Sequence, residues 1–196
     1  MSRGCRLAPY RALGALRWCW CRLASQEPPF AQAAPNLVFG GLLLAREARG
    51  ALWVGVLDLA AEFGAARALR EVPHYHSLPV LDATAPTEDE LREAVAWLGE
   101  VVRHGPVYVH CALGHGRSAT VVVAYLLSAG LVASVGEGEA LLRSLRGGVR
   151  LNAQQVRRLH EFESQRESAA EPSAAPDRGR HYGFPRHHGL PGGPGR

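Results

Sequence analysis

Val109-His110-Cys111-Ala112-Leu113-Gly114-His115-Gly116-Arg117-Ser118 lies between a short β-branched run, Val107 to Val109, and an apolar helix read from about Arg117 to Ala129. A strand that passes through a glycine-bearing loop straight into a helix is a unit of α/β architecture. It sets Cys111 against the N-terminus of that helix, where unpaired backbone N–H groups and the helix dipole favour negative charge. A thiolate and a phosphate both gain from such a position. Thiols there, next to a cation, ionise readily, so Cys111 is expected to be ionised and nucleophilic. Gly114 and Gly116 let the backbone curl until its N–H groups converge into an anion nest. Arg117 closes the loop with a planar fork matched to two phosphate oxygens. The Ser118 hydroxyl is placed to reach back to the sulfur. A lone cysteine after a strand is more often an inert buried thiol; the loop around Cys111 argues for chemistry.

The pattern continues on both sides. Leu37-Val38-Phe39 reads as a short strand closed by Gly40-Gly41, Leu52 to Leu57 as a buried strand ending at Asp58, and Tyr75 to Leu81 as a third. Residues 63–71 read as helical. Thr87 and Glu90 form a capping box. The helix they open carries Leu91, Val95, Leu98 and Val102 at helical spacing and stops at Gly105-Pro106. Downstream, Gly130 ends the apolar helix. Ser134 and Glu137 open another with a second capping box, and Asn152 caps a last helix through Val156, Leu159 and Phe162. Strands alternating with helices predict an α/β fold: a single small domain with a central mixed or parallel sheet flanked by helices.

The chain has 196 residues, a hydrophobic share of 47% and a net charge of +4. That suits one domain with tails and excludes a chain disordered throughout. All 22 basic residues are arginine, which with abundant Ala, Gly and Pro reads as coding bias. Residues 1–29 form a basic arm with Trp18 and Trp20 and no acid before Glu27. Such a segment suits a helix packed on the domain, an anionic membrane surface or, less well for want of serine, a transit peptide. The domain is read over 30–167, and the Ala/Pro/Gly/Arg/His-rich 168–196 as a disordered tail. The longest uncharged run, Ser118 to Gly136, carries serines, a threonine and Gly130, so it reads as a core helix and a turn instead of a membrane span. Cys5, Cys19 and Cys21 crowd the first 21 residues, which is no disulfide framework and fits a reducing compartment.

His110, Cys111, Gly114, Arg117 and Ser118 occupy every fixed position of His-Cys-x-x-Gly-x-x-Arg-Ser/Thr. The loop thus resembles the signature of the cysteine-dependent protein tyrosine phosphatases. The small size and the run of about 36–165 resemble their dual-specificity branch. Rhodanese or arsenate-reductase-like thiol loops fit the glycine spacing and the Arg117-Ser118 ending less well. The resemblance implies a phosphocysteine intermediate on Cys111. It also implies phosphoryl oxygens held by Arg117 and the amides of the loop (Ala112, Leu113, Gly114, His115, Gly116), and a Ser118 that eases thiolate departure. In that family the residue at His110 tunes the cysteine from behind, and an asparagine at Asn152 braces the signature loop. N-capping alone also accounts for Asn152.

A general acid is needed for the leaving oxygen. The chain has four aspartates. Asp177 falls in the tail, Asp89 in a helix first turn, and Asp58 reads as a turn or capping residue. Asp82 follows a strand in a short loop with Pro86, 29 positions before Cys111, which resembles the family's acid loop in place and order. Its usual Trp-Pro lead-in is replaced by Val80-Leu81. Asp82 is therefore assigned as acid, then base. Glu88 and Glu90, the other carboxylates near this loop, read as helix-start residues. His74 and His76 share one side of a strand without a third ligand, and Cys19-x-Cys21 lacks zinc spacing. No metal and no organic cofactor are expected.

Members of the resembled family that act on phosphoinositides tend to place Lys or Arg at the variable loop positions. Here only His115 could meet an extra phosphate, so the resemblance implies phosphoproteins ahead of a phospholipid substrate. A phosphate-binding pseudophosphatase is the reading from outside enzymology. A nucleic-acid partner lacks support, a monomer is expected, and peripheral membrane contact through the arm stays open. The cytoplasm is the expected location, with the mitochondrion or a membrane surface as alternatives. Oxidised Cys111 is expected to form a sulfenamide or a glutathione adduct.

Overall fold

All residues of two strands, β3 (Gly55–Ala60) and β5 (Val107–His110), are buried, because both lie inside a five-stranded sheet with helices on each face. The structure is a computed structural model that describes residues 27–50 and 52–170. Around these two strands run β1 (Phe30–Ala34), β2 (Leu37–Gly40), α1 (Ala45–Arg49), α2 (Arg67–Arg70), β4 (His74–Val80), α3 (Glu88–Val101), α4 (Arg117–Ser128), α5 (Val135–Leu145) and α6 (Ala153–Ala170). The strand order is β1-β2-β5-β3-β4. The pairs β2–β5, β5–β3 and β3–β4 are parallel and β1–β2 is antiparallel, so the sheet is mixed. Parallel strands covered on both faces read as near-continuous apolar runs, as VYVH and GVLDLA do.

Alternation along β5 divides the core. Val107 and Val109 face the main cluster with Leu98, Val122, Leu126 and Leu159, while Tyr108 packs with Val56, Leu43 and Leu69 on the other face. Helix α4 is buried along almost its whole length, which accounts for the uncharged run from Ser118. Each fully buried Val or Leu there contributes about 1.5–3 kcal/mol. Among the described residues no helix is long and apolar enough to cross a membrane. Gly130 ends α4 in the left-handed region at φ 67°. Its N–H donates to Leu127 O (3.1 Å) and Leu131 N–H to Leu126 O (2.9 Å), a Schellman closure.

The Thr87–Glu90 capping box forms in both directions. The second box is half made: Glu137 N–H donates to Ser134 Oγ, but the Glu137 carboxylate accepts from Ala133 N–H. The strand expected over Leu52 to Leu57 begins only at Gly55 and runs on to Ala60, with Leu52 94% exposed. Val54 N–H still donates to Pro106 O (2.8 Å) and Val54 O accepts from His74 N–H (3.1 Å), but β5 pairs only from Val107, and Leu52 lies beyond that ladder. Only Arg67–Arg70 of the expected 63–71 helix forms, because Ala66 at the N-cap offers no side-chain acceptor. Strand β1 escaped the sequence reading; its Phe-Ala-Gln-Ala-Ala has weak β propensity and is held by its pairing with β2 across Asn36, at φ 58°. Helix α6 runs through the 167/168 boundary to Ala170.

Candidate active site

The parallel register sets Gly40, His110 and Asp58 side by side at the carboxyl ends of β2, β5 and β3. Ligands of open α/β sheets bind outside that edge. The chain leaving β5 there makes the loop from Cys111 to Gly116, and α4 begins at Arg117. Cys111 Sγ accepts a hydrogen bond from Gly114 N–H at 3.2 Å and lies 3.5 Å from Ser118 Oγ, as the sequence led one to expect. The loop carbonyls are engaged from outside. Ala112 O accepts from Leu42 N–H (2.9 Å), Leu113 O from both Nη atoms of Arg146 (3.2 Å each) and Gly114 O from Arg146 Nη1 (2.8 Å). In a trans peptide the next N–H points opposite its carbonyl. Drawing three carbonyls outward therefore turns the amides of Leu113, Gly114 and His115 inward, and the Gly114 amide is the one that meets the sulfur. Gly114 sits at φ 78°, and a Cβ there would stand 2.2 Å from Arg146 Nη1 and from Gly40 C.

Arg117 differs from expectation. Its fork grips Glu62 in a bidentate pair, Nη1 to Oε2 at 2.7 Å and Nη2 to Oε1 at 2.6 Å, with both side chains 2% exposed. The other Nη hydrogens go to Val80 O (2.9 Å) and Asp82 Oδ1 (3.1 Å). The Nε–H edge is what remains for an anion. Burial alone would lower the Arg117 pKa, but the Glu62 hydrogen bonds and the charges of Cys111, Glu62 and Asp82 carry it above the usual guanidinium range. A cation is thus fixed behind the loop. Asp82 is 34% exposed and shares one cavity of about 350 Å³ with Cys111, Arg117, Leu113, His115 and Gly116. The segment before α6 supplies Gly148, Arg150, Asn152 and Gln155 to the same cavity.

A thiol in an amide nest at a helix N-terminus, a buried arginine and a carboxylate across the mouth are the parts of a thiol-based phosphoryl-transfer site. The family model "Dual specificity phosphatase, catalytic domain" matches residues 56–165. The chain belongs to that family. Among solved structures, Tk-PTP in its active form is 29% identical, with a TM-score of 0.63 over 70% of this chain and 98% of that one. Human DUSP28 is 25% identical, with a TM-score of 0.58 over 71% and 96%. PTPMT1 in complex with PI(5)P is 22% identical, with a TM-score of 0.66 over 73% and 99%, a likeness of fold. The chain is therefore a cysteine-dependent phosphatase of the dual-specificity type.

Several residues of this phosphatase take places the sequence did not foretell. Asn152 caps α6, its Oδ1 accepting from Gln155 N–H at 3.0 Å. Its Nδ2, however, donates to Ala83 O (2.9 Å), and Gln155 Nε2 donates to Thr84 O (2.9 Å). Asn152 braces the Asp82 loop, not the signature loop. The signature loop is braced by Arg146, which had no signal beyond a basic residue at a helix end. Ala112 contributes its carbonyl, and its buried side chain stays out of the cavity. Glu62, and not Glu88 or Glu90, is the further carboxylate of the site. Glu90 completes a capping box and Glu88 pairs with Arg92. The signal for Glu62 was physical: an arginine buried at a helix start requires a counter-charge, and the carboxyl end of β3 lies nearby.

His115 faces Glu27. Its Nε2 is 2.9 Å from Glu27 Oε2, Glu27 Oε1 accepts from Gly148 N–H, and Arg146 Nη2 lies 3.5 Å from Oε2. Burial would raise the Glu27 pKa, but the His115 and Gly148 hydrogen bonds hold it below the usual carboxylate value. Behind the nucleophile position, His110 is fully buried and stacked on Tyr108, with Nε2 3.7 Å from Asp58 Oδ1. Burial lowers the His110 pKa against the opposing pull of Asp58, so the ring is neutral. Asp58 does not end its strand. It is buried within β3, takes Ala60 N–H (3.0 Å) and the Tyr75 hydroxyl (2.8 Å), and its contact together with burial pushes Tyr75 up to about 12. His74 stacks on His104, and His76 stacks on Trp97 and pairs with Glu93. Cys111 is a free thiol; Cys5, Cys19 and Cys21 lie outside the described residues.

Proposed function

We propose that this phosphatase hydrolyses phosphotyrosine and phosphoserine or phosphothreonine in proteins through a phosphocysteine on Cys111. The observation that carries the proposal is the shared cavity. The Cys111 sulfur sits in the amide nest with Ser118 behind it, and Asp82 faces it across the mouth. The Cys111 thiolate attacks phosphorus while the phosphorus–oxygen ester bond breaks and Asp82 gives its proton to the leaving oxygen. Water then attacks the phosphocysteine, Asp82 takes the proton back, and the phosphorus–sulfur bond breaks to release inorganic phosphate. Ser118 donates to the departing thiolate. The inward amides and Arg117 compensate the charge that develops on the equatorial oxygens. A phosphoryl oxygen reaching Arg117 Nη2 displaces Asp82 from it, which frees the acid to face the leaving group.

The preference for protein substrates rests on the loop. It carries no Lys or Arg among its variable positions, and His115 is engaged by Glu27. One phosphate enters the loop and no loop side chain is disposed toward others. The test is phosphate release in excess EDTA from an aryl phosphate, phosphotyrosyl and phosphothreonyl peptides, and vesicles bearing a phosphoinositide. Wild type is expected to act on the peptides, Cys111→Ser to be inactive, and Asp82→Asn to be slowed roughly a hundredfold or more. Turnover confined to the vesicles would replace the protein reading with the lipid one. Binding without turnover of any substrate would replace both with a phosphate-binding scaffold.

A further inference from the structure

Four basic side chains stand at the signature loop, three of them lining its cavity and Arg146 behind it, and the chain itself answers three of the four. Arg117 is held by Glu62 and Asp82. Arg146 is spent on the loop carbonyls, Pro28 O and Glu27. His115 is paired with Glu27. Arg150 is different. Its guanidinium is exposed and makes no hydrogen bond or ion pair among the described residues, yet it lines the same cavity as Cys111. Its backbone is fixed: Arg150 N–H donates to His115 O at 3.2 Å, and the preceding Val149 is fully buried. The unanswered charge is thus anchored through its backbone on the signature loop itself, at the cavity that Cys111 lines.

We propose that Arg150 is a specificity-determining residue that takes a second oxyanion, a carboxylate or a phosphate, carried by the substrate peptide within one or two residues of the scissile phosphate. This deepens the protein-phosphatase reading and rests on it. Consecutive Cα atoms lie about 3.8 Å apart, so a neighbouring side chain reaches the rim while the phosphorylated one fills the loop. A guanidinium suits either oxyanion through its planar fork. A charge at the edge of a cleft selects partners and speeds encounter, and its contribution falls with added salt.

The experiment compares two phosphotyrosyl peptides that differ only in the flanking residues, acidic in one and neutral in the other. It uses wild type, Arg150→Ala, Arg150→Glu and the remote control Arg103→Ala. The readout is the ratio of kcat/KM between the peptides within each protein. The same ratio is read as Kd on a Cys111→Ser background, which needs no turnover. Wild type and Arg103→Ala are expected to favour the acidic peptide about three- to tenfold at low salt, the range of a partly screened ion pair. Arg150→Ala should bring the ratio to one, and Arg150→Glu should invert it. A ratio of one in wild type, or a preference that survives Arg150→Ala, overturns the assignment even where the phosphatase reading holds. A wild-type protein that binds with the preference but turns nothing over sinks the phosphatase reading and leaves the Arg150 assignment standing. A wild-type ratio of one, combined with an Arg150-dependent loss of phosphoinositide vesicle hydrolysis or soluble inositol bisphosphate binding, assigns Arg150 to a lipid headgroup and overturns the peptide proposal.

Discussion

Truncating Glu62 to alanine leaves the Arg117 guanidinium buried without its counter-charge. Two short charge-assisted hydrogen bonds, at 2.6 and 2.7 Å, disappear at once. Breaking a buried pair by removing one partner costs about 3–5 kcal/mol. Arg117 keeps Val80 O and Asp82 Oδ1, which sets the expectation in the lower half of that range. At about 2–4 °C per kcal/mol for a chain of this size, Tm should fall by about 6–16 °C. Asp82 is then drawn more tightly to the unpaired guanidinium, so kcat/KM for an aryl phosphate should fall by more than the loss of folded protein accounts for. Glu62→Gln keeps one acceptor and should lose about 1.5–3 kcal/mol, close to one charge-assisted bond. The assays are urea unfolding followed by far-UV circular dichroism and steady-state kinetics well below each variant's Tm. An Arg117→Lys/Glu62→Ala double variant should be less impaired than the sum of the singles. Stability of Glu62→Ala within about 1 kcal/mol of wild type, with kcat/KM intact, would refute the view that Glu62 holds the catalytic arginine.

Gly114→Ala should abolish phosphate binding and lower Tm, because the left-handed backbone at φ 78° and the contacts at 2.2 Å leave no room for a methyl group. A vanadate or phosphate titration by calorimetry checks it, and wild-type affinity would contradict the amide-nest account. Asn152→Ala removes the α6 cap and should cost about 1 kcal/mol. It also releases Ala83 O, so the basic limb of the kcat pH profile should weaken where Asp82→Asn weakens it, whereas a cap alone would leave that limb unchanged. His110 is held neutral by burial, its folded pKa lying below the 6.5 of the unfolded chain. The stability it confers is therefore present above pH 6.5 and lost as pH falls from there toward the folded value. Urea midpoints should drop between about pH 7.5 and 5.5 in wild type and drop less in His110→Gln. The loss from Glu27 lies lower, below 4.5.

What the sequence disclosed was local. The order strand, loop, helix around Cys111, the Thr87 box and the Gly130 stop each follow from residues within a few positions of one another. Cys111, Ser118 and Asp82 come together as read. The misreadings concern partners distant in sequence. Glu62 reaches Arg117 across 55 positions, and Arg146 reaches the Gly114 carbonyl across 32. Glu27 meets His115 across 88. None of these has a fixed spacing, since each depends on how β3, β5 and α5 stack. Strand β1 was illegible for the related reason that a weak strand is specified by its neighbour. Leu52 erred the other way, an apolar residue with no strand opposite it.

The grip of Glu27 and Pro28 on the signature-loop region has a consequence for processing of the N-terminus. A cut on the amino side of Glu27 detaches the basic Trp-bearing arm and keeps Glu27 with its contacts to His115, Arg146 and Gly148. A cut two bonds later, after Pro28, removes the same arm and also strips His115 of its carboxylate. The two forms would differ by two residues in length, yet the second would lack the Glu27 carboxylate beside His115 and Arg146 and the Pro28 carbonyl that Arg146 Nε reaches. Which bond is cut would then decide whether a carboxylate stands beside His115 at the mouth of the cavity.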